Sequence, residues 1–235
     1  MDRFLNGKFA IVTGGSRGIG RAITEMLLDA GASVAICGRD AERIDRTLAE
    51  LRPRGSVIGA VADVGKPDDV ARLFRIVEEK FGALDVLINN AGVGVFAKVA
   101  DLTVQQWRQT LDTNLSGVFY CSHAAMPMFQ RRGGGYIVNI SSLAGKHAFA
   151  GGAAYNASKF GLNGFSEAMM LDHRYDNVRV SYIMPGSVNT EFGSGGEGAW
   201  KIAPEDVADI VRMILRTPER TLISRVEVRP AKPKQ

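Results

Sequence analysis

Short apolar bursts alternate with longer stretches of helical periodicity along nearly the whole chain. The bursts fall at Lys8–Thr13, Ser33–Cys37, Ser56–Val61, Leu84–Asn89, Tyr136–Ile140, Val178–Ile183 and Leu222–Val228. The first six are bounded by Gly, Asn, Asp or Ser, as expected of strands buried on both faces. Between the bursts, residues 18–30, 40–52, 67–81, 103–131, 152–174 and 204–216 read as helices. Pro67 and Pro204 stand near helix starts, where a missing N–H costs little, and Asp40 is placed to cap the second helix. Such regular alternation implies right-handed crossovers and a parallel sheet covered by helices on both faces. No internal repeat or low-complexity linker divides the chain. The expectation is a single doubly wound α/β domain over residues 1–235.

Ligands of such sheets bind beyond the carboxyl ends of the strands. The first strand runs into Thr13-Gly14-Gly15-Ser16-Arg17-Gly18-Ile19-Gly20 and then the first helix. Glycines there permit a tight turn, close approach of backbone to a pyrophosphate, and a phosphate seat at the helix N-terminus. The spacing G-x-x-x-G-x-G differs from the common dinucleotide-binding G-x-G-x-x-G. At the end of the second strand, Gly38 leaves empty the position where an NAD-binding carboxylate is usual, and Arg39 follows it. Arg39 and Arg17 are placed to clamp a ribose 2′-phosphate, which favours NADP(H) over NAD(H). Asp40 is the competing carboxylate, better explained as a helix cap.

A second polar group gathers at the same edge. Tyr155 and Lys159 are four residues apart on one helical turn, and Ser142 ends the fifth strand. The loop 144–152 is long enough to bring Tyr155 over that edge. Hydride delivery to a carbonyl leaves an alkoxide that a positioned acid must protonate. A lysine ammonium about 4 Å from a phenol, at an effective dielectric near 20, favours the phenolate by roughly 4 kcal/mol, or about three pKa units. Desolvation opposes part of that shift.

Composition narrows the partners. The chain is 46% hydrophobic and 23% charged, ordinary for a globular protein with a sizeable core. Its net charge of +4 and pI of about 9.2 raise the question of nucleic acid. The basic residues are scattered, however, and the tail Arg229, Lys232, Lys234 is interrupted by Pro230 and Pro233, so no nucleic-acid partner is expected. Cys37 and Cys121 suggest neither a disulfide framework nor a metal site, and His123, His147 and His173 show no ligand spacing. No targeting segment stands out and no apolar run approaches the roughly 18 residues of a membrane span. A soluble cytoplasmic protein is expected.

The ordered set of motifs resembles the short-chain dehydrogenase/reductase family, in its single-domain (Rossmann-type) form similar to 3-oxoacyl-carrier-protein reductases and related carbonyl reductases. It comprises TGGSRGIG at 13–20, Asp63-Val64, NNAG at 89–92, Asn114, Ser142, YNASK at 155–159 and PGSVNT at 185–190. The resemblance implies that Tyr155 is the general acid/base, that Lys159 lowers its pKa and binds the nicotinamide ribose, and that Ser142 polarises the substrate carbonyl. Asn114 would hold a water linking Lys159 to a proton chain. For the cofactor it implies contacts from Gly14, Ser16, Arg17, Gly18, Ile19, Gly20 and Arg39, with Asp63 and Val64 flanking the adenine. Asn90, Ala91 and Gly92 would line the cleft, whereas Asn89 stabilises the sheet. Pro185, Gly186, Val188 and Thr190 would close around the nicotinamide.

The segment 191–203 departs from the family's longer helical lid. It is short and rich in glycine, at Gly193, Gly195, Gly196 and Gly198, and is expected to order on ligand binding. Trp200 is placed to cover substrate or to pack the following helix. Val93, Gly94, Phe96, His147 and Phe149 complete a mainly apolar candidate pocket, with His147 expected as a bystander. The resemblance also implies a homo-oligomer built on helices 103–131 and 152–174. Their outer faces offer Leu111, Leu115, Phe119, Phe165 and Met169 to core or interface. Rival classes are an epimerase or dehydratase, whose relatives carry a larger C-terminal region, an NAD-preferring dehydrogenase, and a cofactor-sensing regulator without turnover. The last need not keep Asn114, Ser142, Tyr155 and Lys159 together.

Overall fold

The structure, a computed structural model, describes residues 3–192 and 198–233. Seven strands form one parallel sheet: β1 (Phe9–Thr13), β2 (Ser33–Gly38), β3 (Val57–Val61), β4 (Val86–Asn89), β5 (Gly135–Ile140), β6 (Val178–Pro185) and β7 (Arg225–Val228), in the order β3-β2-β1-β4-β5-β6-β7. Between them lie α1 (Gly18–Asp29), α2 (Ala41–Leu51), α3 (Pro67–Phe81), α4 (Val104–Leu111), α5 (Gly117–Arg132), α6 (Ala153–His173) and α7 (Pro204–Leu215).

Side-chain alternation along each strand feeds two cores. Ala10 and Val12 of β1 pack with Ile23 and Leu27 of α1 and Val207 and Val211 of α7. Ile11, pointing the other way, packs with Val77 of α3, Phe129 of α5 and Met169 of α6. The expected doubly wound α/β sheet is therefore present. Its order reverses at β1, which pairs with β2 on one side and β4 on the other. That switch point opens a crevice at the carboxyl ends of the two strands.

One expected element carries a consequential irregularity. The helix expected over 103–131 is present as one continuous helical run, with a π-helical turn inside it. Thr103 and Gln106 form a capping box that starts α4, whose helix gives way to a π-helical turn over Asp112–Ser116 before α5 begins. An extra residue in one turn re-aims the side chains that follow it, and Asn114 lies within that turn, fully buried. The last strand is also shorter than the apolar run from Leu222 suggested; it starts at Arg225 and is only partly covered at the sheet edge. Asp40 caps α2 as expected, its Oδ1 accepting the Arg43 N–H at 3.0 Å.

Buried polar groups tie the central strands to the helix behind them. Asn89 of β4 donates to Asn139 Oδ1 of β5 at 2.9 Å and to Ser122 Oγ at 3.2 Å. Asn139 in turn donates to Ser166 Oγ of α6 at 2.9 Å. Asn89 thus has the sheet-stabilising part expected of it, and the chain of bonds fixes α6, which carries Tyr155 and Lys159, against β5.

Candidate active site

The crevice begins with the glycine turn. Gly14 (φ +65°) and Gly18 (φ +52°) occupy the left-handed region that L side chains avoid. A Cβ on Gly20 would collide with the Gly14 carbonyl and the Asn90 amide, so only glycine lets α1 start this close to β1 and β4. Asn90 Nδ2 donates to the carbonyls of Thr13 at 2.9 Å and Gly14 at 3.2 Å, and Thr13 Oγ1 accepts the N–H groups of Asn90 and Ala91, both at 3.0 Å. The side chain of Asn90 therefore braces the turn while its backbone, with Ala91 and Gly92, lines the cleft. Gly20 sits behind the wall, as a spacer. Gly14, Ser16, Arg17, Gly18 and Ile19 form the floor at the N-terminus of α1, where unpaired N–H groups favour an anion.

The cleft encloses about 670 Å³. Asp63 and Val64 form its far wall; Asp63 Oδ1 accepts the Gly65 N–H at 3.0 Å, and Val64 is buried against Gly117. Pro185, Gly186, Val188 and Thr190 cover the near side, with the Thr190 methyl against the Gly18 turn. Arg39 stands exposed on the rim. Beside it lies Arg43, a third rim cation that sequence reasoning missed. Its place in the first turn of α2, directly after the strand end that carries Arg39, was the available sign. A cleft of this volume with a glycine floor, a helix N-terminus and cations on its rim fits a phosphorylated dinucleotide.

At the other end, Lys159 is buried, and its ammonium donates to the Ile140 carbonyl at 2.9 Å, 5.8 Å from the centroid of the Tyr155 ring. Ser142 Oγ accepts the Ala144 N–H at 3.1 Å and also hydrogen-bonds Tyr155. Asn156 Nδ2 holds the Ala144 carbonyl at 2.7 Å, which ties the 141–149 loop to α6 beside Tyr155. Asn156 lies in the YNASK run between Tyr155 and Lys159, and nothing in the sequence alone marks this bond.

The Asn114 side chain finds its partners within the protein. Its Oδ1 accepts the Val93 N–H at 2.8 Å, and its Nδ2 donates to the Val93 carbonyl at 2.9 Å and Ser158 Oγ at 3.1 Å. The amide is thus engaged with the loop after β4, and the π-turn aims it there rather than into the cleft.

Burial dominates the electrostatics of Tyr155 and Lys159. Burial pushes the Tyr155 phenol above its ordinary value, an effect the Ser142 hydrogen bond only partly offsets. Burial likewise brings Lys159 down to about 8. Desolvation thus outweighs the acidification of Tyr155 that a neighbouring ammonium favours, with the lysine directed at the Ile140 carbonyl. Cys37 also lines the cleft, but burial pushes its thiol up to about 12, which leaves it a poor nucleophile at neutral pH.

The pocket beyond Tyr155 is aromatic. Phe96 meets the Tyr155 ring edge-on at 5.6 Å and packs on Phe149 at 5.7 Å, while Phe192 lies 5.9 Å from Tyr155. Val93 lines the cleft, and Gly94 fits between Phe96 and Phe192. Phe192, which the sequence reading passed over for Trp200, is the aromatic group of this segment that reaches the site. Trp200 packs against Gly198 and is absent from the cleft wall. His147 is a bystander, in contact with Arg229 at 3.2 Å. Of the glycines singled out in the lid, Gly193, Gly195 and Gly196 lie outside the described residues. Among the described residues no cluster of His, Cys, Asp and Glu fits a metal ion, and no helix is long and apolar enough to cross a membrane.

Comparison with known proteins agrees with this layout. The short chain dehydrogenase family model matches residues 8–196. An uncharacterized oxidoreductase of Staphylococcus aureus is 31% identical over 228 residues, covering 96% of this chain and 98% of its own. A 3alpha-hydroxysteroid dehydrogenase of Mediterraneibacter gnavus is 34% identical over 194 residues, covering 81% and 78%. Among solved structures, an alcohol dehydrogenase of the archaeon Thermococcus sibiricus complexed with 5-hydroxy-NADP superposes with a TM-score of 0.89 at 27% identity, covering 97% of this chain and 99% of that one. A metagenomic short-chain oxidoreductase in complex with NADP gives 0.87 at 36% identity, with the same coverage. The chain belongs to the short-chain dehydrogenase/reductase family of oxidoreductases.

The depressed pKa of Lys159 has a consequence for stability. Between about pH 8 and its unfolded value near 10.5, the folded protein holds fewer protons than the unfolded chain, so stability rises with pH across that window. The cost of burying the ammonium is present in full below pH 8. Lys159→Met should therefore be the more stable protein at pH 7, by about 1–3 kcal/mol, with an advantage that shrinks toward pH 10. Urea denaturation of both proteins from pH 7 to 10 measures this; a constant difference would show that the lysine is not held under such a penalty.

Proposed function

We propose that this chain, acting as one domain, is an NADP(H)-dependent oxidoreductase that interconverts a carbonyl compound and a secondary alcohol, with Ser142, Tyr155 and Lys159 handling the proton. The observation that carries this reading is the convergence of a phenol, a hydroxyl and a buried amine at the carboxyl edge of β5, beside a glycine cradle suited to pyrophosphate. A bound nicotinamide would supply or accept the hydride. Ser142 Oγ would donate to the substrate oxygen, and the Tyr155 hydroxyl would give its proton to that oxygen as charge develops there. The raised pKa of Tyr155 keeps it a neutral phenol at pH 7, the form needed for reduction. Lys159, whose pKa falls below that of Tyr155, is the stronger acid and would return a proton to the phenolate. Asn114 acts in this scheme as a positioning residue that pins Val93 at the cleft wall.

NADP(H) is supported by Arg17, Arg39 and Arg43 at the rim, by the missing carboxylate at Gly38, and by NADP or its derivative in the similar structures. The walls formed by Phe96, Phe149 and Phe192 suit an apolar ketone or alcohol. The joint presence of Ser142, Tyr155 and Lys159 disfavours a sensor without turnover. Cys37 and Cys121, both buried free thiols, are compatible with a reducing cytoplasm.

Tyr155→Phe keeps the ring and its packing against Phe96 and Phe192. Turnover of any ketone found by screening with NADPH should fall at least about 10²-fold, while NADPH affinity changes little. Undiminished turnover in the folded variant would end the proton-donor reading.

A homo-oligomer is also part of this proposal. Phe119 on α5, Phe160 and Leu171 on α6, and Trp107 on α4 remain exposed, large apolar groups on the helices expected to form the interface. Met169, by contrast, belongs to the core. Light scattering at micromolar concentration should give a dimer or tetramer, and substitution of Phe119 and Phe160 by Glu should release monomers. A wild-type monomer would refute the assembly.

A further inference from the structure

Glu191 is the charged group at the cleft that hydride transfer leaves unexplained. It follows Thr190 in the loop after β6, and its side chain is 67% exposed. Exposed carboxylates usually face water, yet this one reaches across the cleft mouth to two guanidiniums from distant parts of the chain. Its Oε2 accepts from Arg17 Nη1 at 3.0 Å and from Arg43 Nη1 at 3.1 Å. Arg17 comes from the glycine turn and Arg43 from the first turn of α2, and both line the cleft on the side where Arg39 stands. Arg43 has one further acidic neighbour, Asp40, at 3.7 Å. Hydrogen bonds from Arg43 and Arg17 hold the Glu191 carboxyl below the usual carboxylate range, so it is ionised at neutral pH.

Two guanidiniums converging on one oxygen make an anion site, and here the anion comes from the chain itself. A ribose 2′-phosphate offers three acceptor oxygens and up to two charges, against two oxygens and one charge for the carboxylate. Both cannot occupy the Arg17–Arg43 clamp together, because the two anions repel.

We infer that Glu191 is an internal competitor for the 2′-phosphate: it closes the Arg17–Arg43 clamp, and a cofactor carrying that phosphate must displace it. This rests on the NADP(H) reading and refines it, since Glu191 and Arg43 become determinants of cofactor choice beside Arg17 and Arg39. The displacement has a consequence at the other end of the cleft. The next residue, Phe192, packs on the Tyr155 ring at 5.9 Å, so filling the phosphate clamp loosens a wall of the substrate pocket.

Calorimetric titration of NADPH and NADH into the wild type, Glu191→Gln, Arg43→Gln and the double variant tests the competition without reference to turnover. Low ionic strength is needed, because exposed ion pairs are screened by salt. Glu191→Gln should tighten NADPH by about three- to tenfold, the range two exposed ion pairs can supply, and leave NADH nearly unchanged. Arg43→Gln should weaken NADPH and, in the double variant, remove the gain. Adenosine 2′,5′-bisphosphate should follow NADPH, and AMP should follow NADH, which places the effect at the phosphate. An unchanged NADPH-to-NADH affinity ratio in Glu191→Gln would overturn the inference. The wild-type ratio separately tests the cofactor reading: a protein that prefers NADH, yet gains NADPH affinity in Glu191→Gln, would reject that reading and retain the competitor.

Discussion

The site depends on how closely the first turn of α1 approaches the ends of β1 and β4. Gly20 lies against the Gly14 carbonyl and the Asn90 amide with no room for a side chain. That contact brings the free N–H groups of the helix N-terminus to the crevice, and the bonds from Asn90 and Thr13 close it from the β4 side. The chain's reversal at β1 makes the crevice, and the absence of one methyl group lets a helix end enter it. Each later feature is placed relative to that point. The cations stand on the β2 side, where the cleft opens to solvent, and Ser142, Tyr155 and the buried Lys159 stand on the β5 side.

Burial sets the chemistry of the dry end more than pairing does. A phenol and an ammonium a few ångströms apart in water would each favour the other's charged form. In this cleft both are desolvated, and the lysine is satisfied by the Ile140 carbonyl. The phenol is accordingly held neutral and the ammonium made more acidic, the combination that the proposed proton donor and its resupply require. The buried chain from Asn89 through Asn139 to Ser166 supports the arrangement by fixing α6 on the sheet, so the distances at Tyr155 and Lys159 are set by the core.

Much of this was legible in the sequence because it is local. Apolar runs bounded by Gly and Asn mark strands, and a glycine turn between the first strand and helix marks the crevice. The spacing of Tyr155 and Lys159 places them on one face of α6. What was not legible is set by tertiary context. The helix expected over 103–131 carries a π-helical turn at Asn114, whose partner is Val93, and no periodicity reveals either. Arg43 reads as an ordinary surface residue of α2 until Glu191, 148 positions away, is seen to meet it. Phe192 rather than Trp200 covers Tyr155, and two aromatics in one glycine-rich segment cannot be ranked without the path of the loop. The net direction of the Tyr155 shift was not legible for the same reason: charge proximity can be read from spacing, whereas the extent of desolvation needs the packed structure.

The central claim is that Tyr155 delivers the proton while its acidity is tuned by Ser142. The most direct measurement is the pH dependence of kcat/KM for ketone reduction in the wild type and in Ser142→Ala. Reduction needs the neutral phenol, so the rate should fall at high pH as Tyr155 ionises. Loss of the Ser142 hydrogen bond, which lowers that pKa, should move the falling limb to higher pH as well as reducing the maximum. A lower rate with the limb unmoved would contradict the account, leaving Ser142 as a substrate contact without influence on the tyrosine.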